Sequence, residues 1–108
     1  MLVTGASRGI GRAVALAFAA AGDRVAVHHR DSPGLAASAV HEMPGDGHVV
    51  VSGDLADPDA VRSFVDAAAV GLGGIDVLVN NAAVFAPRHP PGSVSYAEWQ
   101  EGWNRVAR

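Results

Sequence analysis

Short apolar runs alternate with longer helical patterns from Met1 to Val79. The runs are Met1-Leu2-Val3, Arg24 to His28, His48 to Ser52 and Ile75 to Val79. Each is brief, mostly rich in Val and bounded by Gly or Asp, the form taken by strands buried within a parallel sheet. Between them, apolar residues recur at helical spacing. The first helical pattern covers about Gly9 to Ala21 and is closed by Gly22, because a chain leaving a helix commonly needs a residue without Cβ. The second takes Asp31 or Ser32 as N-cap and Pro33 as its first helical residue, with Leu35, Ala36, Ala39, Val40 and Met43 as its apolar stripe. The third begins at Asp57-Pro58, buries Val61, Phe64, Val65 and Ala68, and is ended by Gly71, Gly73 and Gly74. A Pro-rich loop from Ala86 to Gly92 leads to a last helix starting near Ser95, with Trp99, Trp103 and Val106 on one face. Such alternation predicts one domain over residues 1–108, a parallel α/β sheet with right-handed crossovers.

Composition narrows the classes of partner. Hydrophobic residues make up 49% of the 108 and charged residues 18%, which places the chain among folded rather than disordered sequences. Its formal net charge is -3 and its cations are all Arg, without a basic run, so neither nucleic acid nor an anionic membrane is an expected partner. The sequence has no Cys, which removes disulfides, thiolate nucleophiles and cysteine-zinc sites together; a reducing compartment is permitted, and a cytoplasmic location is the expectation. His28, His29, His41, His48 and His89 show no metal-binding spacing, so no metal site is expected and surface or packing roles are assigned to them. One competing reading concerns the start of the chain. Arg8 and Arg12 precede the apolar run Ala13 to Ala21, the order of charges and apolar residues in a secretory signal. A loop-helix motif in the same residues is better specified and is preferred.

That motif is Val3-Thr4-Gly5-Ala6-Ser7-Arg8-Gly9-Ile10-Gly11, which joins the first strand to the first helix. A turn this tight favours residues that cannot clash through Cβ. Bare glycines also let backbone N–H groups reach a phosphate at the positive end of the helix. The spacing is not G-x-G-x-x-G, since Val14 stands in the third glycine's place, and a Walker-type phosphate loop would need a Lys. The alternative is a glycine-rich turn chosen for packing alone.

Thr4-Gly5-x-x-x-Gly9-Ile10-Gly11 resembles the T-G-x-x-x-G-I-G loop of the short-chain dehydrogenase/reductase family. Three further matches follow in order: Arg30 after the second strand, Asp54-Leu55 after the third, and Asn80-Asn81-Ala82-Ala83 at the end of the fourth. The last is similar to the family's N-N-A-G, with Ala83 in place of Gly. The resemblance covers nearly the whole chain. It implies a Rossmann-like, doubly wound parallel sheet of strand order 3-2-1-4, truncated after the fourth strand and following helix, with a dinucleotide at the strands' C-terminal ends. By resemblance the cofactor contacts fall on Gly5, Ala6, Ser7, Arg8, Gly9, Ile10, Gly11, Arg30, Asp54, Leu55, Asn81 and Ala82. Asp54 would accept from the adenine amino group and Leu55 flank the ring, although Asp54 also suits helix initiation just ahead of Asp57-Pro58. Asn81 and Ala82 would line the ribose, with Asn80 tying neighbouring strands.

The second strand ends in His28-His29-Arg30, where an acidic residue would suit the ribose 2′-hydroxyl of NAD. A guanidinium suits a 2′-phosphate instead, so NADP(H) is expected rather than NAD(H), with Arg8 as a second cation. The plainer alternative for Arg30 is a solvated loop charge.

Catalysis in similar proteins uses a Tyr with a Lys four residues later, the cation lowering the phenol's pKa, together with a Ser and an Asn. This chain has one Tyr and no Lys, and Tyr96 is followed four residues later by Gln100. Asn104 falls out of register with the family's helix Asn. No catalytic residue is therefore assigned. The resemblance implies hydride transfer between NADPH and a carbonyl/alcohol pair, with the chain catalytically incomplete as written. Three readings are open: a truncated form of an active reductase, which is favoured, a non-catalytic dinucleotide-binding module, or a remnant without function. An exposed fourth strand and final helix would also invite self-association.

Overall fold

The computed structural model describes residues 1–82. The predicted loop at 86–92, the last helix with Trp99, Trp103 and Val106, and Ala83, His89, Tyr96 and Asn104 lie outside the described residues. In chain order the elements are β1 (Leu2–Val3), α1 (Gly9–Ala20), β2 (Ala26–His29), α2 (Pro33–Glu42), β3 (Val49–Ser52), α3 (Pro58–Leu72) and β4 (Leu78–Val79). The strands form one parallel sheet in the order β3-β2-β1-β4, as expected. All four predicted strands form, but the first residues of the second and fourth runs belong to the approaches.

Alternation along the strands divides the core into two layers. Met1 and Val3 of β1 and its lead-in, with Val25 and Val27, face α1 and α2 and pack on Ala15, Ala19, Ala36 and Met43. Leu2, Ala26 and Val51 face the other way, onto Phe64, Ala68 and Leu72 of α3. Helices on both faces make the sheet doubly wound. Val3, Val25 and Val27 are wholly buried, each contributing about 1.5–3 kcal/mol relative to exposure. Ala15 and Ala19, rather than larger residues, set α1 close against the strands. The same packing places the apolar run beginning at Ala13 in a helix of the domain. No described helix is long and apolar enough to cross a membrane.

Helix ends follow local chemistry, with two corrections. α1 ends at Ala20, with Ala21 as C-cap, and Gly22 turns away at φ 100°. Asp57 caps α3 by accepting from the N–H groups of Asp59 at 3.0 Å and Ala60 at 3.4 Å. The left-handed exit of α3 is Gly73, at φ 80°. Gly71 does not end the helix: it lies within α3, and a Cβ there would stand 2.9 Å from Val49 Cγ1. Its role is to let α3 approach β3. In α2, Leu35 falls outside the buried stripe and is 44% exposed, because Ala36 and Ala39 already make the contact with the sheet.

Two stability changes are expected from these contacts. Asp57→Ala leaves two N–H groups without their side-chain acceptor and should cost about 0.5–2 kcal/mol in urea unfolding. Gly71→Val pushes two branched side chains together across the α3–β3 gap and should cost about 1–3 kcal/mol by the same measurement.

Candidate functional site

The C-terminal ends of β1, β2 and β4 meet at the segment from Thr4 to Gly11. Its glycines divide into two physical kinds. Gly5 has φ +62°, and a Cβ on it would lie 2.9 Å from Ala82 Cα. A Cβ on Gly11 would strike the Asn81 side-chain amide and come within 2.5 Å of the Gly5 carbonyl oxygen. These two are bare because backbone packs against them. Gly9 is different: φ is +63° and no described residue lies within 4 Å of where its Cβ would be. Ile10 beside it is 76% exposed. Arg8 is the extended N-cap of α1 and makes no side-chain capping bond, in contrast to Asp57 on α3. Among the described residues, the first N–H groups of α1 therefore have neither an intrahelical nor a side-chain acceptor.

Thr4 organises the side of the loop nearest β4. It is 3% exposed. Its Oγ1 accepts from the N–H groups of Asn81 at 3.1 Å and Ala82 at 3.2 Å, and donates to the Val79 carbonyl at 3.4 Å. The Asn81 amide donates to the Gly5 carbonyl at 3.2 Å. Asn81, and not Asn80, is therefore the tie between neighbouring strands; Asn80 is exposed and its side chain bonds to no other described residue. The Asn81 side chain is spent on the loop, and Ala82 packs on Gly5.

At the opposite edge, Ser7 is buried and its Oγ lies 2.8 Å from Ser32 Oγ. Ser32 is the N-cap position of α2, but its hydroxyl is drawn to Ser7 and makes no capping bond. Ala6 is fully buried and its N–H donates to the His28 carbonyl at 2.9 Å. Arg30 follows β2 with its side chain 62% exposed, and its Nη2 lies 3.6 Å from Asp54 Oδ2, whose side chain is 45% exposed. Asp54 Oδ1 accepts from the Ala56 N–H at 2.9 Å, a local turn ahead of α3. The turn ahead of α3 agrees with the helix-initiation reading of Asp54, while its other carboxylate oxygen faces Arg30. Leu55 is half-buried and packs against the α3 layer. Arg8 is exposed in the loop itself.

His28 and His29 take the packing role rather than the surface one: they lie on opposite sides of β2, both are buried, 2% and 6% exposed, and both accept backbone hydrogen bonds. His28 Nδ1 accepts from the Gly5 N–H at 3.1 Å, while its Nε2 lies 2.8 Å from the Gly53 carbonyl oxygen. Its ring stacks at a tilt on Phe64, centroids 4.5 Å apart. His29 Nδ1 accepts from the Ser32 N–H at 3.1 Å. Burial lowers the His28 pKa below its ordinary value of 6.5; the Gly53 carbonyl acts in the opposite direction and neighbouring His29 adds to the lowering. Thr4 and His28 are the organising residues that the motif reading left unassigned. The available signal was a polar residue at the end of each apolar run, where the chain leaves the sheet. Among the described residues, no three His, Asp or Glu side chains come together as a metal site.

Comparison with known proteins agrees with this arrangement. L-rhamnose 1-dehydrogenase (NAD(P)(+)) from a Sphingomonas species is 44% identical over 86 residues, covering 78% of this chain and 34% of that protein. The 3-oxoacyl-acyl-carrier-protein reductase of Staphylococcus aureus is 41% identical over 85 residues, 77% of this chain and 35% of the reductase. A short-chain dehydrogenase from Burkholderia cenocepacia, solved in complex with NADP, superposes with a TM-score of 0.80 at 38% identity, over 96% of this chain and 43% of that one. A dehydrogenase/reductase from Sinorhizobium meliloti gives a TM-score of 0.86 at 31% identity, over 96% of this chain and 42% of its own. The chain thus spans about a third of the length of these curated relatives. With residues 1–107 matching the model of the short chain dehydrogenases, the chain belongs to that family.

Proposed function

We propose that this chain forms the dinucleotide-binding part of a short-chain dehydrogenase/reductase-type oxidoreductase and takes NADP(H) in preference to NAD(H). The observation that carries the preference is the exposed Arg30 guanidinium at the end of β2, where a carboxylate would repel a 2′-phosphate. The residues present fit the group. Among the described residues Gly9 leaves open space above a left-handed backbone, and the start of α1, without a side-chain cap from Arg8, offers N–H donors to a pyrophosphate. Gly5, Ala6, Ser7, Ile10 and Gly11 hold that surface in shape, and Arg8 supplies a second cation. A 2′-phosphate competing for Arg30 would loosen its 3.6 Å pairing with Asp54 Oδ2 and free that oxygen for the adenine amino group. Leu55 then flanks the ring, and Asn81 and Ala82 border the ribose. The bound cofactor would supply a hydride for a carbonyl/alcohol pair. The 108 residues contain one Tyr and no Lys, so they do not furnish the phenol-cation pair for proton transfer. A non-catalytic binding module is the reading that this composition also supports.

Fluorescence titration of the chain with NADPH and NADH tests the cofactor reading. Saturable binding should favour NADPH. Arg30→Ala should weaken NADPH about ten- to a hundredfold, the equivalent of one lost charge-assisted hydrogen bond, and leave NADH almost unchanged. Equal loss for both cofactors, or none, contradicts the assignment of Arg30.

The fourth strand supports a second, smaller proposal. Leu78 of β4 and Val77 just before it are 54% and 44% exposed at the end of the described sheet, a surface suited to self-association. Sedimentation of the chain should show concentration-dependent association that Leu78→Lys reduces. A monomer at every concentration counts against it.

A further inference from the structure

His28 joins two segments that no strand pairing connects directly. One ring nitrogen takes the Gly5 N–H and the other reaches the Gly53 carbonyl, so the ring spans from the first glycine of the loop to the residue before Asp54. These bonds fix its chemical state. A nitrogen that accepts from a backbone N–H carries no proton, so Nδ1 is bare. A nitrogen 2.8 Å from a carbonyl oxygen must donate, so Nε2 carries the proton. Only the neutral Nε2–H tautomer satisfies both. Protonation at Nδ1 would set one N–H against another, and the Gly5 amide would have to leave.

We propose that His28 is a positioning residue for the glycine loop, its neutral ring clamping Gly5 to Gly53 and its protonation releasing the loop from the segment that carries Asp54 and Leu55. The clamp itself stands on the geometry of the chain. Its consequence for cofactor affinity rests on the dinucleotide reading above: releasing Gly5 would disturb the loop facing the pyrophosphate together with its alignment to the adenine side.

The surroundings favour the neutral state. On α3 the group against the ring is Phe64, which is uncharged, while Asp59, Arg62 and Asp66 of that helix are exposed. The loop presents only backbone. Beyond β3, Asp54 is engaged with Arg30. His29, adjacent on β2, opposes a charge on His28, and burial opposes it more strongly. The folded pKa therefore lies below the unfolded value of 6.5. Between those two values the unfolded chain holds more protons than the folded one, so stability rises with pH through that window. The contribution is fully present above the unfolded value and is lost as pH falls through the folded one. The loop should loosen over the lower part of the same window.

The test is a pH titration of the isotope-labelled 108-residue chain from roughly pH 8 to pH 5, read by NMR with and without NADPH. At the upper end, the His28 nitrogen shifts should report a proton on Nε2 and none on Nδ1. As His28 protonates, Gly5 amide exchange should accelerate at the same midpoint, and NADPH affinity should fall tenfold or more. His28→Asn keeps an acceptor for Gly5 without a titrating ring and should hold NADPH with little change across the range. His28→Phe keeps the stacking on Phe64, lacks both bonds, and should bind weakly at every pH. A Gly5 amide that ignores His28 protonation overturns the proposal even if neither variant folds, as does an affinity in His28→Phe equal to the parent's. Absence of NADPH binding at all pH values would sink the dinucleotide reading, while the Gly5 exchange profile would still decide the clamp.

Discussion

The close approach of backbone to backbone where β1 turns into α1 is the constraint on which the rest of this structure depends. A Cβ on Gly5 would collide with Ala82, and one on Gly11 would collide with Asn81 and the Gly5 carbonyl. Because neither residue has one, the end of β4 lies directly against the loop, and Thr4 Oγ1 can take the Asn81 and Ala82 N–H groups. Buried backbone donors need such acceptors, and leaving one unmet would cost roughly 1–3 kcal/mol. The packing of the glycines and the hydrogen bonding of Thr4 are therefore one device. It sets β4 beside β1, and it aims the start of α1 outward.

From that joint, two polar side chains carry order across the sheet. Ser7 reaches Ser32 at the start of α2, and His28 reaches back to Gly5 and forward to Gly53. Every turn at the C-terminal ends of β1, β2 and β3 is thereby linked to another by a side chain, and no buried side-chain polar atom is left unpaired among the described residues. The groups left over face outward: Arg8, Gly9, Ile10 and Arg30 are all exposed. A rim already held by these bonds, with donors and cations facing outward, supports the reading of an anionic ligand there, since part of the ordering cost is met before anything binds.

The division between buried and exposed polar groups also separates two uses of charge. Arg30 and Asp54 are both substantially exposed, so their pairing is screened and contributes little to stability. A phosphate can compete with it for the same reason. His28 is enclosed, and there a single proton decides whether two backbone groups stay joined. On the proposed reading, the exposed charge would serve selectivity and the buried neutral ring alignment. The chain places both within three residues on β2 and its exit.

Residue pattern alone determined the strand–helix order, the N-cap at Asp57, the exits at Gly22 and Gly73, and the loop before α1. These are short-range properties, written in local periodicity and in residues whose backbone freedom or hydrogen bonding acts within a few positions. The strand order and family were also legible, because several motifs stand in sequence on that frame. What Gly71 is for was not, since its reason is Val49, across the gap between α3 and β3. Nor could periodicity show that Leu35 is left outside, that Asn81 rather than Asn80 ties the strands, or that His28 is enclosed between Gly5 and Gly53. Each depends on which distant backbone group comes within hydrogen-bond or van der Waals reach, and only the folded sheet brings those groups together.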